Sequence, residues 1–178
     1  MATFQWSPGT NHVSFGGLYP DDPTAVYMHH PLSHRIANRD QVMGVPPNSG
    51  EAASIVEFLT EVHTWYNRQM AELFLTLEGA EDAFGGNLFD QTIIPCITEV
   101  AETTHSRGPL PALIAGGRAL GMQGGQYLNF ETQERNHNDL WLTVAQAYFQ
   151  SSDPLQFLSE EAFYKNGVSP IDGLWEPV

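Results

Sequence analysis

The chain has 178 residues, 42% of them apolar, with 7 Lys and Arg against 21 Asp and Glu, a formal net charge of −14. One domain is the default at that length, with enough core to bury on the order of 70% of the surface an unfolded chain exposes. So negative a surface repels phosphate backbones and anionic lipid, which argues against nucleic acid and membrane partners, and it tolerates cations. The bland alternative is that the charge confers only solubility.

In chain order, Met1-Ala2-Thr3-Phe4-Gln5-Trp6 lacks a basic region followed by an apolar run, so no signal peptide is expected here. Residues 2–6 read as a short strand. Residues 7–24, rich in Gly, Pro, Asn and Asp, read as a loop that ends in the cluster His29-His30-Pro31-Leu32-Ser33-His34. Residues 44–50 form a second breaker. Apolar residues then recur at Ile55, Phe58, Leu59, Val62, Trp65, Tyr66, Met70, Leu73, Phe74 and Leu77. This spacing of three and four predicts one helix over about 50–78, roughly 42 Å long. Asn48 or Ser49 is placed to cap it, Gly79 to end it, and its aromatic stripe reads as core.

Beyond a turn at Gly85-Gly86-Asn87, residues 91–98 have a strand's β-branched composition, and Leu110 to Ala115 form a second apolar strand stopped by Gly116-Gly117. Residues 118–130 read as a glycine-broken hairpin or irregular arm. Asn138 or Asp139 is expected to cap a last helix to about 150, with Leu140, Val144, Ala147 and Tyr148 on one face. The tail, with Pro154, Pro170 and Pro177, is expected to wrap the surface. No apolar stretch approaches the roughly 18 residues of a membrane span. Strands alternating with helices predict a single α/β domain over residues 1–178, a partly parallel sheet with flanking helices. That sheet is small for so long a helix, which points to partner strands in another chain or a longer parent fold.

The single cysteine, Cys96, excludes an internal disulfide framework and a Cys-based zinc site. Its apolar neighbours make it a buried structural thiol rather than a reactive one. Histidines carry the chemistry. His30 and His34 are four apart, a spacing that sets two imidazoles on one face of a helical turn, as a shared metal ion requires. Pro31 suits the first turn of such a helix, and His29 adds a third ligand or an outer-shell donor. After the strand at 91–98 come Glu99, Glu102 and His105. Sites in open α/β sheets lie beyond the carboxyl ends of strands, so Glu99 and His105 complete an N/O ligand set suited to zinc, less specifically to manganese or iron. The competing view is a hydrogen-bonded loop cluster with solvated acids. His137 could reach a site at the last helix, whereas His63, on the long helix, reads as a surface or packing residue, and His12 stays unassigned. No Gly-x-Ser-x-Gly elbow, phosphate-binding loop or dinucleotide fingerprint is present, and Ser33 and Ser106 merely adjoin histidines.

The order of these motifs, Ala2-Thr3-Phe4, His29-His30-x-x-Ser33-His34, the long helix, Leu88-Phe89-Asp90-Gln91-Thr92, Thr98-Glu99, His105-Ser106, Leu110 to Gly117 and Asn138-Asp139-Leu140, resembles the C-terminal half of a bacterial family known as domain of unknown function fifteen fifty-two. The resemblance covers roughly residues 2 to 150. That family is similar, distantly, to the alkaline phosphatase and sulfatase-like fold. The resemblance implies metal positions at His30, His34, Glu99 and His105. Glu99 stands where the superfamily has Asp, and Val100 where it has His, a departure that counts against a second metal ion. The superfamily's nucleophile and a further ligating Asp lie in an N-terminal half with no counterpart among these motifs. The family's members generally look exported, which implies a periplasmic or extracellular parent protein.

Three readings follow. The first is the metal-binding domain of a metal-dependent hydrolase acting on a small-molecule or ester substrate, with zinc as cofactor, ligands at His30, His34, Glu99 and His105, and Glu102 and His29 as general base or outer-shell groups. The second is a non-catalytic binding or assembly module that keeps the fold, as a homo-oligomer or joined to the N-terminal half. The third is a histidine-ligated copper or iron redox protein.

Overall fold

The computed structural model describes residues 15, 18, 29–30, 33, 50–98, 109–130, 133, 135–154 and 168–178. The protein is mixed helix and strand, and it divides into two compact units. One comprises Met1–Ala71 and Thr98–Pro111, the other Glu72–Ile97 and Ala112–Val178. The long helix α1, Gly50–Glu78, contributes residues 50–71 to the first and 72–78 to the second.

In the first unit the three-and-four spacing along α1 does what it predicts. Ile55, Phe58 and Val62 lie one above another on the helix and are 6%, 3% and 0% exposed. Fully burying side chains of this size stabilises by roughly 1.5–3 kcal/mol each. Of the aromatic stripe Phe58 is core, whereas Trp65, Tyr66 and, in the second unit, Phe74 are half-buried. Phe15 packs edge-on against Trp65 and Tyr66, with ring centroids 6.3 and 5.7 Å away, and these two rings meet each other at 5.2 Å. Such pairs add about 0.5–1.5 kcal/mol beyond area burial. Asn48 and Ser49, the expected caps of α1, lie outside the described residues, as does the strand expected over 2–6.

In the second unit α1 ends as its sequence predicts. The Gly79 amide donates to the Leu75 carbonyl at 3.0 Å, and the chain turns so that Leu88 donates back to Ala80 at 2.9 Å. Asp82 holds this turn, its Oδ1 accepting from the amides of Phe84 at 2.6 Å and Gly86 at 3.0 Å. The strands β1, Ile93–Ile97, and β2, Ala112–Gly116, follow. They pair antiparallel with Ile93 opposite Gly116 and Ile97 opposite Ala112. The described sheet is therefore a two-stranded antiparallel ribbon, where the alternation of strands and helices had suggested a partly parallel sheet; no parallel pair occurs among the described residues. Pro95 lies within β1 opposite Ile114; having no N–H, it can donate no ladder bond, and proline is confined in sheets to positions that need none. At the end of β2, Gly116 adopts φ +72°, and a Cβ there would run into the carbonyl oxygens of Thr92 and Phe89. Only glycine admits both the backbone geometry and that approach.

After a short 3-10 turn at Arg118–Leu120 and an irregular arm, helix α2 spans His137–Phe149. Its cap is Asn136, not Asn138 or Asp139. The Asn136 side chain accepts from the Asn138 amide at 2.8 Å, while Asp139, at the third helical position, accepts from the Asn136 amide at 3.2 Å, a reciprocal capping box. The buried face of α2 also departs from the expected stripe. Leu140 and Ala147 are buried as predicted, but Tyr148 is 63% exposed, and the polar residues Asp139, Thr143 and Gln146 are buried.

The tail explains that burial. Ser169 donates its amide to Asp139 Oδ1 at 3.0 Å, and Ile171 donates to Thr143 Oγ1 at 2.8 Å. Arg135 reaches Ser169 Oγ at 2.7 Å and Asp139 at 3.7 Å. Further along, Gln123 donates to the Leu174 carbonyl at 3.0 Å, Glu176 to Gly121 at 3.0 Å, and the Trp175 indole to Leu120 at 2.9 Å. Residues 168–178 thus lie along α2 and the 121–123 arm, as the expectation of a wrapping tail holds. Among the described residues no helix is long and apolar enough to cross a membrane.

Candidate functional site

The histidine-rich segment belongs to the first unit. Residues 29, 30 and 33 are helical, in keeping with the helical turn that the spacing of histidines predicts. Ser33 Oγ donates to the His30 carbonyl at 2.8 Å, a bond one helical turn back. That hydroxyl is engaged with its own backbone, which fits the absence of a nucleophile signature around it.

His29 is half-buried and meets a histidine that spacing alone did not select. Its Nε2 lies 3.3 Å from Nε2 of His63 on α1, with ring centroids 5.3 Å apart and ring planes at 66°. His63 follows the fully buried Val62, so its backbone is anchored in the core while its ring stands at the surface. Helical geometry places His63 one turn from both Leu59 and Tyr66, at the rim of the apolar stripe. That rim position is the one sequence signal that could have singled it out. Its partner, 34 residues away, has no such signal.

Burial is the main influence lowering the His29 pKa below its ordinary value of 6.5, and the neighbouring His63 and then His30 lower it further. A desolvated imidazole disfavours its charged form, and adjacent imidazoles disfavour a second positive charge. At neutral pH His29 is therefore uncharged, with one ring nitrogen a donor and the other an acceptor. Two facing imidazoles can share an N–H···N contact or, with both facing ring nitrogens deprotonated, present two lone pairs to an ion.

Of the other expected site residues, His30 is half-buried in the same helical segment. His34, Glu99, Glu102 and His105 lie outside the described residues, as do His12, Val100 and Ser106. Among the described residues, no group of three or more His, Cys, Asp or Glu side chains is placed to hold a metal ion. In the second unit, His137 is the first residue of α2, and its Nε2 is buried with no hydrogen-bond partner among the described residues. Helix entry itself is served by Asn136. Burial pushes the Cys96 thiol above its usual pKa, which disfavours the reactive thiolate and fits a structural role.

Neither a protein-family model, a curated protein nor a solved structure matches the chain.

Proposed function

We propose that this chain is the metal-binding domain of a metal-dependent hydrolase of the phosphatase or sulfatase type, acting on an ester in the periplasm or outside the cell. In this reading the fold is a portion of an alkaline phosphatase-like α/β architecture whose sheet is partly parallel. His30, His34, Glu99 and His105 hold a divalent transition ion, zinc first. His29 and Glu102 act beside them as proton acceptors or as donors that orient the ligands.

The observation that supports this reading is the meeting of His29 with His63, which gives the histidine-rich segment an imidazole neighbour on a rigid helix. Imidazole suits zinc, copper, nickel and iron, whereas oxygen-rich sites suit magnesium and calcium. Bound there, zinc would supply Lewis acidity toward an ester oxygen or an attacking water. The contribution of the chain itself is a neutral imidazole at position 29, able to accept a proton, on a surface whose negative charge favours cations. Elemental analysis of the purified protein, with melting curves in chelator and in zinc, tests the reading. Stoichiometric transition metal and a raised melting temperature support it. Absence of both removes it.

A second reading, a non-catalytic assembly module, draws on a different observation. Leu75, Phe84 and Tyr127 are 66%, 93% and 89% exposed in the second unit, whose described sheet has only two strands. Large exposed apolar side chains are a feature of association surfaces. Obligate association in a mass measurement, with metal dispensable, supports this module. Ester hydrolysis lost on His34→Ala in well-folded protein excludes it.

A further inference from the structure

We infer that His29 and His63 are themselves a two-imidazole seat for a divalent transition ion of the zinc class, with both Nε2 atoms as ligands. The inference rests on the metal-binding reading above and changes its ligand set, because His63 is brought in from the long helix and His29 moves from a supporting role to a direct one.

The argument is geometric. Zinc binds imidazole nitrogen at about 2.0–2.1 Å in tetrahedral sites, so two such nitrogens stand about 3.3–3.4 Å apart. The two Nε2 atoms here are 3.3 Å apart. The same separation also allows an N–H···N hydrogen bond between the rings when no ion is present, so the pair is placed to share either a proton or an ion. The rings are inclined at 66° rather than stacked, which leaves room for two in-plane lone pairs to converge on one point. His63 is carried by a helix anchored just before it by the buried Ile55, Phe58 and Val62, and sites on helices hold their geometry better than sites on loops. Two imidazoles fill two positions of a tetrahedral ion; a catalytic zinc site has three protein ligands and one open position, so one further ligand from the chain would complete it.

The test uses the full chain stripped with chelator. Zinc is titrated calorimetrically into wild type, His29→Gln, His63→Gln and His34→Gln, and the imidazole ¹⁵N resonances are followed in wild type. The expected result is saturable zinc binding by wild type, weakened at least about tenfold in both His29→Gln and His63→Gln, as removal of a ligand costs no less than removal of its supporting group. The Nε2 resonances of His29 and His63 are expected to shift together on zinc addition. Wild-type zinc affinity in folded His63→Gln, or ¹⁵N resonances of His63 that stay still while zinc binds, overturns the inference; if His34→Gln alone is then weakened, the metal-binding reading survives without it. If His63→Gln does not fold, the wild-type resonances decide alone. No zinc binding by wild type overturns both.

Discussion

Thr143 is fully buried on α2, and its hydroxyl stands between two backbone groups. It donates to the Asp139 carbonyl at 2.8 Å and accepts from the Ile171 amide at 2.8 Å. Replacing it with valine preserves shape and removes only the hydroxyl. The Asp139 carbonyl loses little, because it sits within the helix and keeps its place in the backbone ladder. The Ile171 amide loses its acceptor while still buried, and an orphaned donor of this kind costs roughly 1–3 kcal/mol. At about 2–4 °C per kcal/mol for a chain of this size, Thr143→Val is expected to lower the melting temperature by roughly 2–12 °C. Thr143→Ser also loses stability, about 1 kcal/mol for its missing methyl group, so global stability alone does not isolate the hydrogen bond. Amide hydrogen exchange does. Thr143→Val should speed exchange at Ile171 and, as the tail loosens, at Leu174, while Thr143→Ser should leave the Ile171 amide protected. Unchanged Ile171 protection in Thr143→Val would refute the claim that this hydroxyl holds the tail.

Three other expectations concern the same unit. Gly121 adopts φ +85°, and a Cβ there would meet the Glu176 carbonyl oxygen and come within 3.0 Å of the Trp175 indole nitrogen. Gly121→Ala should therefore destabilise by at least about 1 kcal/mol for the left-handed backbone alone. It should also free the chain end, read as earlier proteolysis there and a red-shifted tryptophan emission. Asn136→Ala removes the capping side chain of α2 and should cost about 1 kcal/mol, measured by the midpoint of urea unfolding. The Asp82 carboxyl is held below its ordinary pKa of 3.8 by the amides of Gly86 and then Phe84. A depressed folded pKa contributes stability that is complete above the unfolded value and is lost as pH falls through the folded one. The destabilisation caused by Asp82→Ala should accordingly be full at neutral pH and fade as pH drops below about 4; a penalty unchanged at strongly acid pH would contradict the assignment.

The meeting of His29 with His63 was half legible. His29 and His30 stand out by clustering, and the helical turn they imply is present at residues 29, 30 and 33. His63 does not stand out, because a lone imidazole at the rim of an amphipathic helix carries no mark of what faces it. The second unit gives a parallel case. Asn136, Asn138 and Asp139 are all competent caps by residue type, and only the reciprocal pair of hydrogen bonds selects Asn136. Thr143 and Gln146 would be assigned to solvent by polarity, yet they and Asp139 are buried because the tail brings donors to Asp139 and Thr143 and the Gln146 amide finds the Ser152 carbonyl at 3.1 Å.

The amino-acid sequence by itself determined the elements whose causes are local. Apolar spacing sets α1 over Gly50–Glu78, a β-branched run sets β1, an apolar run sets β2, and glycines end α1 and β2. Only the tertiary structure decided the antiparallel register of Ile93 with Gly116, the polar seam between α2 and the tail, and the approach of His29 to His63 across 34 residues. Periodicity reports which face of an element is apolar. It does not report which backbone amide or imidazole will be packed against that face, because that choice depends on chain closure between segments far apart in sequence.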